Sequence, residues 1–308
     1  MSVPVLVLIA SHGRPSLLGR TLRSVAACAR PERYAGCVVV ENGPAAGAAA
    51  VVAEVSAESP GAGLSYRHEA RANKSAALNA ALGGVPAETL VVYLDDDVRV
   101  SPGLLAAYAE AAGGRRGQAF FGGPTRVDYE RPPEPWLIRM FPASARGMDV
   151  TGPDAPEWFL GFNWASYAGD VVAAGGFDPN YGPGSPIGAR GQETNMQNRL
   201  KDRGLIPVPV PDAVVWHWVP TERSSPEWVI QRRYQLGMSA GQKIARGERT
   251  NTIPREVAKA VRSLALLPPF WALRNVPRVT GHRATISRAA GLLRGYAAAR
   301  WRSSSTRP

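Results

Sequence analysis

Three consecutive carboxylates, Asp95, Asp96 and Asp97, follow the apolar run LVVYL. Adjacent carboxylates repel one another, and a bound cation removes that conflict. Carboxylate oxygens suit Mg²⁺ or Mn²⁺, ions that bind through one or two protein carboxylates together with substrate phosphate oxygens. Side chains alternate along an extended chain, so Asp95 and Asp97 are expected to share a direction and Asp96 to differ. The competing account is a solvated acidic turn or helix N-cap ahead of Pro102. In VVWHWV the same alternation sends Trp216 and Trp218 to one face and His217 to the other. A lone histidine among hydrophobic neighbours is either a hydrogen-bonded core residue or a ligand.

The elements that must position these groups follow from the apolar pattern. Val3–Ile9 reads as a buried strand, and Leu17, Leu18, Leu22 and Val25 recur behind Pro15 at helical spacing. The alternation continues with strand Cys37–Val40, helix Ala48–Ser56, strand Leu64–Arg67, helix Lys74–Leu82, strand Leu90–Leu94, helix Pro102–Ala112 and strand Ala119–Phe121. Such alternation predicts an α/β fold with a mostly parallel central sheet covered by helices. Ligands of open α/β sheets bind outside the carboxyl ends of the strands. The polar residues at those ends are Ser11 to Arg14, Glu41 and Asn42, Arg71 to Lys74, and Asp95 to Asp97.

Beyond residue 121 a Pro- and Trp-rich stretch, Arg131 to Trp158, is too irregular for regular elements and is expected to lie over a cleft. Regularity returns with Phe159–Tyr167, a short helix from Asp170, a Gly/Pro loop at Tyr181–Gly191, a helix from Glu193 to Asp202, and strands near Ile206–Val210 and Ala213–Trp218. From Pro226 the pattern is helical.

A chain of 308 residues, 45% hydrophobic, is long enough for one large core. Its net charge is +11, unevenly placed: residues 223–308 hold 17 Lys/Arg against 3 Asp/Glu, and residues 1–222 hold 19 against 22. The expected division is a catalytic domain at 1–222, its nucleotide-binding half ending near 125 and an acceptor half at 126–222, followed by a basic helical extension at 223–308. Two cysteines, Cys28 and Cys37, form no disulfide framework or zinc motif, which predicts a reducing, cytoplasmic setting. No stretch reaches the roughly 18 apolar residues of a spanning helix.

VLVLIASHGRPSLLGRTLRSV, VVVENG, ANKSAALNAAL, VVYLDDDVRVSPG, GGFDP and GQETNMQNRLKDRG, in this order over residues 3 to 220, resemble the family-2 glycosyltransferases. The resemblance implies a GT-A fold and an inverting, metal-dependent transfer of a sugar from a nucleoside-diphosphate sugar, foremost a UDP-sugar, to a hydroxyl acceptor. By position it implies that Ser11, Arg14 and Glu41 frame the base and ribose, that Lys74, Asp95 and Asp96 serve the nucleotide, and that Asp97 holds Mn²⁺ or Mg²⁺ with His217 joining it. It implies Glu193 as the general base that takes the acceptor proton. The chain departs from the family in Ser11-His12-Gly13, where Thr-Tyr-Asn is common, and in Glu41 and Glu193, where Asp is common.

The acceptor, a glycan, a lipid-linked sugar or a small molecule, is expected to meet Asn163 and Trp164, with Phe162, Trp136 and Trp158 as further aromatics. All of these could equally be core. In the tail, Ile286, Ala289, Ala290, Leu293, Tyr296, Ala297 and Trp301 form one helical stripe flanked by Arg288, Arg294, Arg300 and Arg302. This pattern fits either an interfacial helix that holds the protein peripherally at the inner face of an anionic membrane or a helix packed on the rest of the protein. Nucleic acid is not expected as a partner. The rival functions are a sugar-phosphate nucleotidyltransferase and a non-enzymatic protein acting through its basic tail.

Overall fold

The structure, a computed structural model, describes residues 2–153, 155–186, 191–247 and 250–305, with side chains as far as residue 301. Part of the 181–191 loop, residues 187–190, lies outside the described residues, as does the side chain of Arg302.

In chain order the first elements are β1 (Val5–Ser11), α1 (Pro15–Ala26), β2 (Tyr34–Asn42), α2 (Ala48–Glu58), β3 (Leu64–Glu69), α3 (Lys74–Leu82), β4 (Leu90–Asp95), β5 (Val98–Val100) and α4 (Leu104–Ala112). There follow β6 (Ala119–Gly122), β7 (Thr125–Tyr129), α5 (Pro135–Ile138), α6 (Ala143–Arg146), β8 (Trp164–Tyr167), α7 (Ala168–Ala173), α8 (Gln192–Asp202), β9 (Ile206–Pro209) and β10 (Val215–Val219). Three long helices close the chain: α9 (Pro226–Ala245), α10 (Ile253–Ala272) and α11 (Val276–Ser305).

The chain forms two compact units, residues 1–128 with 147–218, and residues 129–146 with 219–308. Residues 129–146, expected in the acceptor half, therefore group with the terminal helices instead.

In the first unit a seven-stranded sheet has the order β3-β2-β1-β4-β8-β6-β9. Strands β1 to β4 run parallel, β8 is antiparallel to both β4 and β6, and β6 pairs in parallel with β9. Every residue of β1 is buried, as are the first five of β4, which is why both read as unbroken apolar runs. Full burial of one such Leu or Ile contributes roughly 1.5–3 kcal/mol. Beneath β4 the Tyr93 ring stacks on Trp164 at 4.5 Å, with Phe177 edge-on to both. A smaller sheet, β5-β10-β7, was not expected from the sequence, because β5 and β7 are too short to show a period. The outer strand β9 carries prolines at 207 and 209.

In the second unit α9 and α11 pack through glycines four residues apart on each helix. A Cβ at Gly237, Gly241, Gly291 or Gly295 would stand 2.1 Å from a backbone oxygen of the opposite helix. Side chains cannot fit between backbones this close, and the Ser287 hydroxyl donates directly to the Ile230 carbonyl at 2.9 Å. Of the two alternatives for the stripe on α11, helix packing accounts for the buried Ala289, and Arg288 pairs with Glu256, while Leu293 and Trp301 are exposed. The large apolar residues left exposed on α10 are Val261, Leu264, Leu266 and Trp271. Among the described residues no helix is long and apolar enough to cross a membrane.

Candidate functional site

The carboxyl end of β4 is where the acidic triplet lies, and each carboxylate has its own environment. The strand ends at Asp95, so the expected alternation does not extend to Asp96 and Asp97, which sit in the turn before β5. Asp95 pairs with Lys74, the first residue of α3. Burial would raise the Asp95 carboxyl, but the Lys74 charge outweighs it and holds the group below its ordinary value.

Asp96 is fully buried. It accepts from the Ser11 hydroxyl at 2.7 Å and from the Arg14 guanidinium. Burial, helped by the neighbouring carboxylates Asp97 and Asp95, pushes it up to about 6 against the pull of Arg14 and Ser11. A single guanidinium thus serves two carboxylates, since Arg14 also donates to Oδ2 of Asp97. Burial alone would lower the Arg14 pKa, but the Asp97, Asp96 and Asp95 charges hold it above its usual value.

The second oxygen of Asp97, Oδ1, is buried without a hydrogen-bond partner. Facing it at 3.6 Å is Nε2 of His217. Strand β10 brings the histidine there: His217 lies opposite Val98 of β5, and the Trp218 amide donates to the Asp97 carbonyl at 2.8 Å. The imidazole lies flat on Phe162 at 4.6 Å, and its Nδ1 is also buried and unpartnered. Trp216 and Trp218 point the other way, under the guanidiniums of Arg99 and Arg20. Among the described residues no group of three or more His, Cys, Asp and Glu could hold an ion by itself. A donor set of one carboxylate oxygen without a hydrogen-bond partner and the imidazole nitrogen that faces it at 3.6 Å fits a Mn²⁺ or Mg²⁺ that draws its remaining ligands from phosphate oxygens and water.

Beside this pair opens a pocket of about 280 Å³ walled by Arg14, Lys74 and Asp95 with His12, Asn42 and Pro183. Sequence reasoning placed His12 and Asn42 among the polar residues at the strand ends but gave them no role. Their signal was position, just after β1 and at the end of β2. The His12 ring approaches the Asn42 carbonyl at 2.6 Å, a contact open because Gly43 presents no Cβ to the imidazole. Pro183 and Gly184 are drawn over the start of α3. The Lys74 amide donates to the Pro183 carbonyl at 3.1 Å, and the Asn73 side chain caps α3 through Ala76 while donating to the carbonyls of Pro179 and Gly184. At Gly184, where φ is +78°, a Cβ would stand 1.7 Å from the Ala72 carbonyl oxygen, so only glycine fits.

Three expected nucleotide residues do not wall the pocket. Ser11 and Asp96 are buried and spend their groups on each other. Glu41, 1% exposed, accepts from the amides of Ala46 and Ala48 and from the Tyr66 hydroxyl. Burial would raise its carboxyl, but these hydrogen bonds hold it below the ordinary value of 4.5.

The acceptor residues are likewise corrected. Asn163 is fully buried, accepts from the Tyr108 hydroxyl at 2.7 Å and donates to the carbonyls of Pro124 and Ala213, both at 2.9 Å, which leaves it nothing for a sugar. Trp164 is core, stacked on Tyr93. Trp158 is exposed.

Glu193 lies in the first turn of α8, half-buried, with its side chain against Gly161. Its charge acts on Lys74. The structure therefore brings Arg14, Lys74, Asp95, Asp97, His217 and Glu193 into one region of the first unit.

Residues 3–150, just under half of the chain, match the model of the family described as Glycosyltransferase like family 2. The succinoglycan biosynthesis protein ExoM of Rhizobium meliloti (strain 1021) is 28% identical over 255 residues, covering 77% of this chain and 74% of the relative. A mannosyltransferase from Pyrobaculum calidifontis, solved with GDP-Man and Mn²⁺, superposes with a TM-score of 0.56 at 20% identity, covering 97% of this chain and 76% of the other. GalNAc-T7, solved with UDP, GalNAc and Mn²⁺, gives 0.55 at 13% identity over 79% of this chain and 52% of the other.

Proposed function

We propose that this glycosyltransferase, whose first half carries the family-2 pattern on a GT-A fold, transfers a sugar with inversion from a nucleoside-diphosphate sugar to a hydroxyl acceptor. The observation that carries the reading is the unpartnered Oδ1 of Asp97 facing His217, beside a pocket lined by Arg14 and Lys74.

The first unit contains the reaction site. Arg14 and Lys74 present positive charge to the donor diphosphate while remaining anchored by Asp95, Asp96 and Asp97, so little side-chain order has to be acquired on binding. Asp97 and His217 would hold Mn²⁺ or Mg²⁺, which supplies positive charge against the departing diphosphate. The Glu193 carboxylate takes the proton of the acceptor hydroxyl as that oxygen bonds to the anomeric carbon and the carbon–diphosphate bond breaks. Attack on the face opposite the leaving group inverts the anomeric centre.

A UDP-sugar is the first donor to examine. A saccharide acceptor, free or lipid-linked, is supported by the relative ExoM, a succinoglycan biosynthesis protein. The exposed apolar residues of α10, set in a basic helical tail, support contact with an anionic membrane surface. The direct test is a panel of nucleotide sugars screened for Mn²⁺-dependent hydrolysis and thermal stabilisation. Glu193→Gln is expected to abolish transfer and preserve donor binding. Full transfer activity in both Glu193→Gln and Asp97→Ala would sink the reading.

A further inference from the structure

The helical unit contains a second pocket, of about 240 Å³, whose lining includes Arg139, Arg146, Arg232 and Arg233 and no carboxylate. Two of the arginines come from the 129–146 segment and two from α9. Its apolar part includes Phe141 and Trp228, packed edge to face at 5.8 Å.

Four cations around one cavity are costly to assemble unless their charge is balanced. Arg233 is half-buried, and its hydrogen bond is a long one to the Met140 carbonyl at 3.5 Å. The nearby Arg288 is itself paired with Glu256 at 3.0 Å. Burial, with the charges of Arg288 and Arg146 added, pushes the Arg233 guanidinium below its ordinary value. The charges of Arg146 and Arg233 would be relieved by one multivalent anion. Guanidinium forks match phosphate oxygens in pairs, and aromatic surface beside them accommodates the organic part of a phosphate ester.

We propose that this pocket is a binding site for a phosphate or diphosphate group, held by Arg146 and Arg233 with the rest of the ligand against Trp228 and Phe141. The phosphate can belong to a soluble ester or to a lipid headgroup. This pocket belongs to the helical unit, and the donor pocket to the other.

The test is calorimetric titration of the full chain, without donor or metal, using inorganic diphosphate, monomeric dihexanoyl phosphatidic acid and, as a control, dihexanoyl phosphatidylcholine. At least one phosphate probe is expected to bind, and Arg146→Gln and Arg233→Gln to weaken it by about tenfold or more, as the loss of a charge-assisted hydrogen bond implies. Weakening confined to phosphatidic acid assigns a lipid headgroup, and weakening of diphosphate a soluble ester. Arg146 is exposed, so Arg146→Gln decides the matter if Arg233→Gln fails to fold. Wild-type affinity in Arg146→Gln, or no binding of either phosphate probe, overturns the site. Sugar transfer is not the readout, so this failure is distinct from failure of the transferase reading.

Discussion

Gly161 leaves the space that Glu193 fills: a Cβ at position 161 would stand 3.0 Å from Cγ of the glutamate and 3.1 Å from its carboxyl carbon. Gly161→Ala is therefore expected to displace the carboxylate by a few tenths of an ångström without straining the backbone. For a base that must meet a hydroxyl at hydrogen-bond distance, this lowers kcat by about tenfold and leaves the donor KM and the Tm near wild type. Steady-state kinetics with a thermal melt check the split. A fall in Tm with unaltered kcat would show Glu193 to be a packing residue.

His217 and Asp97 are expected to act as one unit. Asp97→Asn and His217→Ala should each weaken Mn²⁺ binding in the presence of donor by more than the roughly 10–100-fold typical of outer-shell partners. The double variant should lose little further, since either single change already breaks the pair. Titration calorimetry with Mn²⁺ reads the affinity, and chelation followed by Mn²⁺ return reads the activity.

Glu41 predicts a pH signature. Its carboxyl is held below 4.5 in the folded protein, so its stabilisation is present above that value and is lost as pH falls through the lower folded pKa. Glu41→Gln, which turns an NH₂ toward groups that donate, is expected to cost about 1–3 kcal/mol at pH 7. The gap to wild type should narrow below pH 4.5 as the wild-type carboxyl protonates. Chemical denaturation at a series of pH values measures it. A gap that stayed constant would mean that the carboxylate is not what the three donors require.

The glycine seam of the helical unit gives a paired prediction within one helix. Gly291→Ala sets a methyl 2.1 Å from the Tyr234 carbonyl oxygen and should cost about 1–3 kcal/mol by forcing α9 and α11 apart. At Gly281 a Cβ would meet only the end of Met140 at 3.7 Å. Gly281→Ala should stabilise by up to about 1 kcal/mol through helix propensity. Thermal melts of both variants compare the two effects.

The parallel half of the sheet was legible because β1 and β4 are buried on both faces and so appear as unbroken apolar runs. The reversal at β8 was not, since four residues carry no sign of direction until β4 and β6 are seen beside them. The acidic triplet was legible as a cluster, but the division of labour within it depends on Ser11, Arg14, Lys74 and His217, which come from three elements and the loop before α1. Asn163 looked like a free amide because its three partners are a tyrosine 55 residues away and two backbone carbonyls 39 and 50 residues away. Glu41 stood at a ligand-facing strand end, and only the fold of residues 46 to 48 over it shows that its acceptors are already used.

Strand β9 bears on how the protein behaves beside other copies of itself. The amides of Ile206 and Val210 donate inward, to Gln118 and Gly122. The alternate positions, whose amides would face outward, are Pro207 and Pro209, which have no N–H to offer. An arriving strand would find carbonyls and no donors along this border, so the sheet is closed to extension there without a covering helix. Resistance to edge-to-edge aggregation is thus written into two residues that play no part in catalysis.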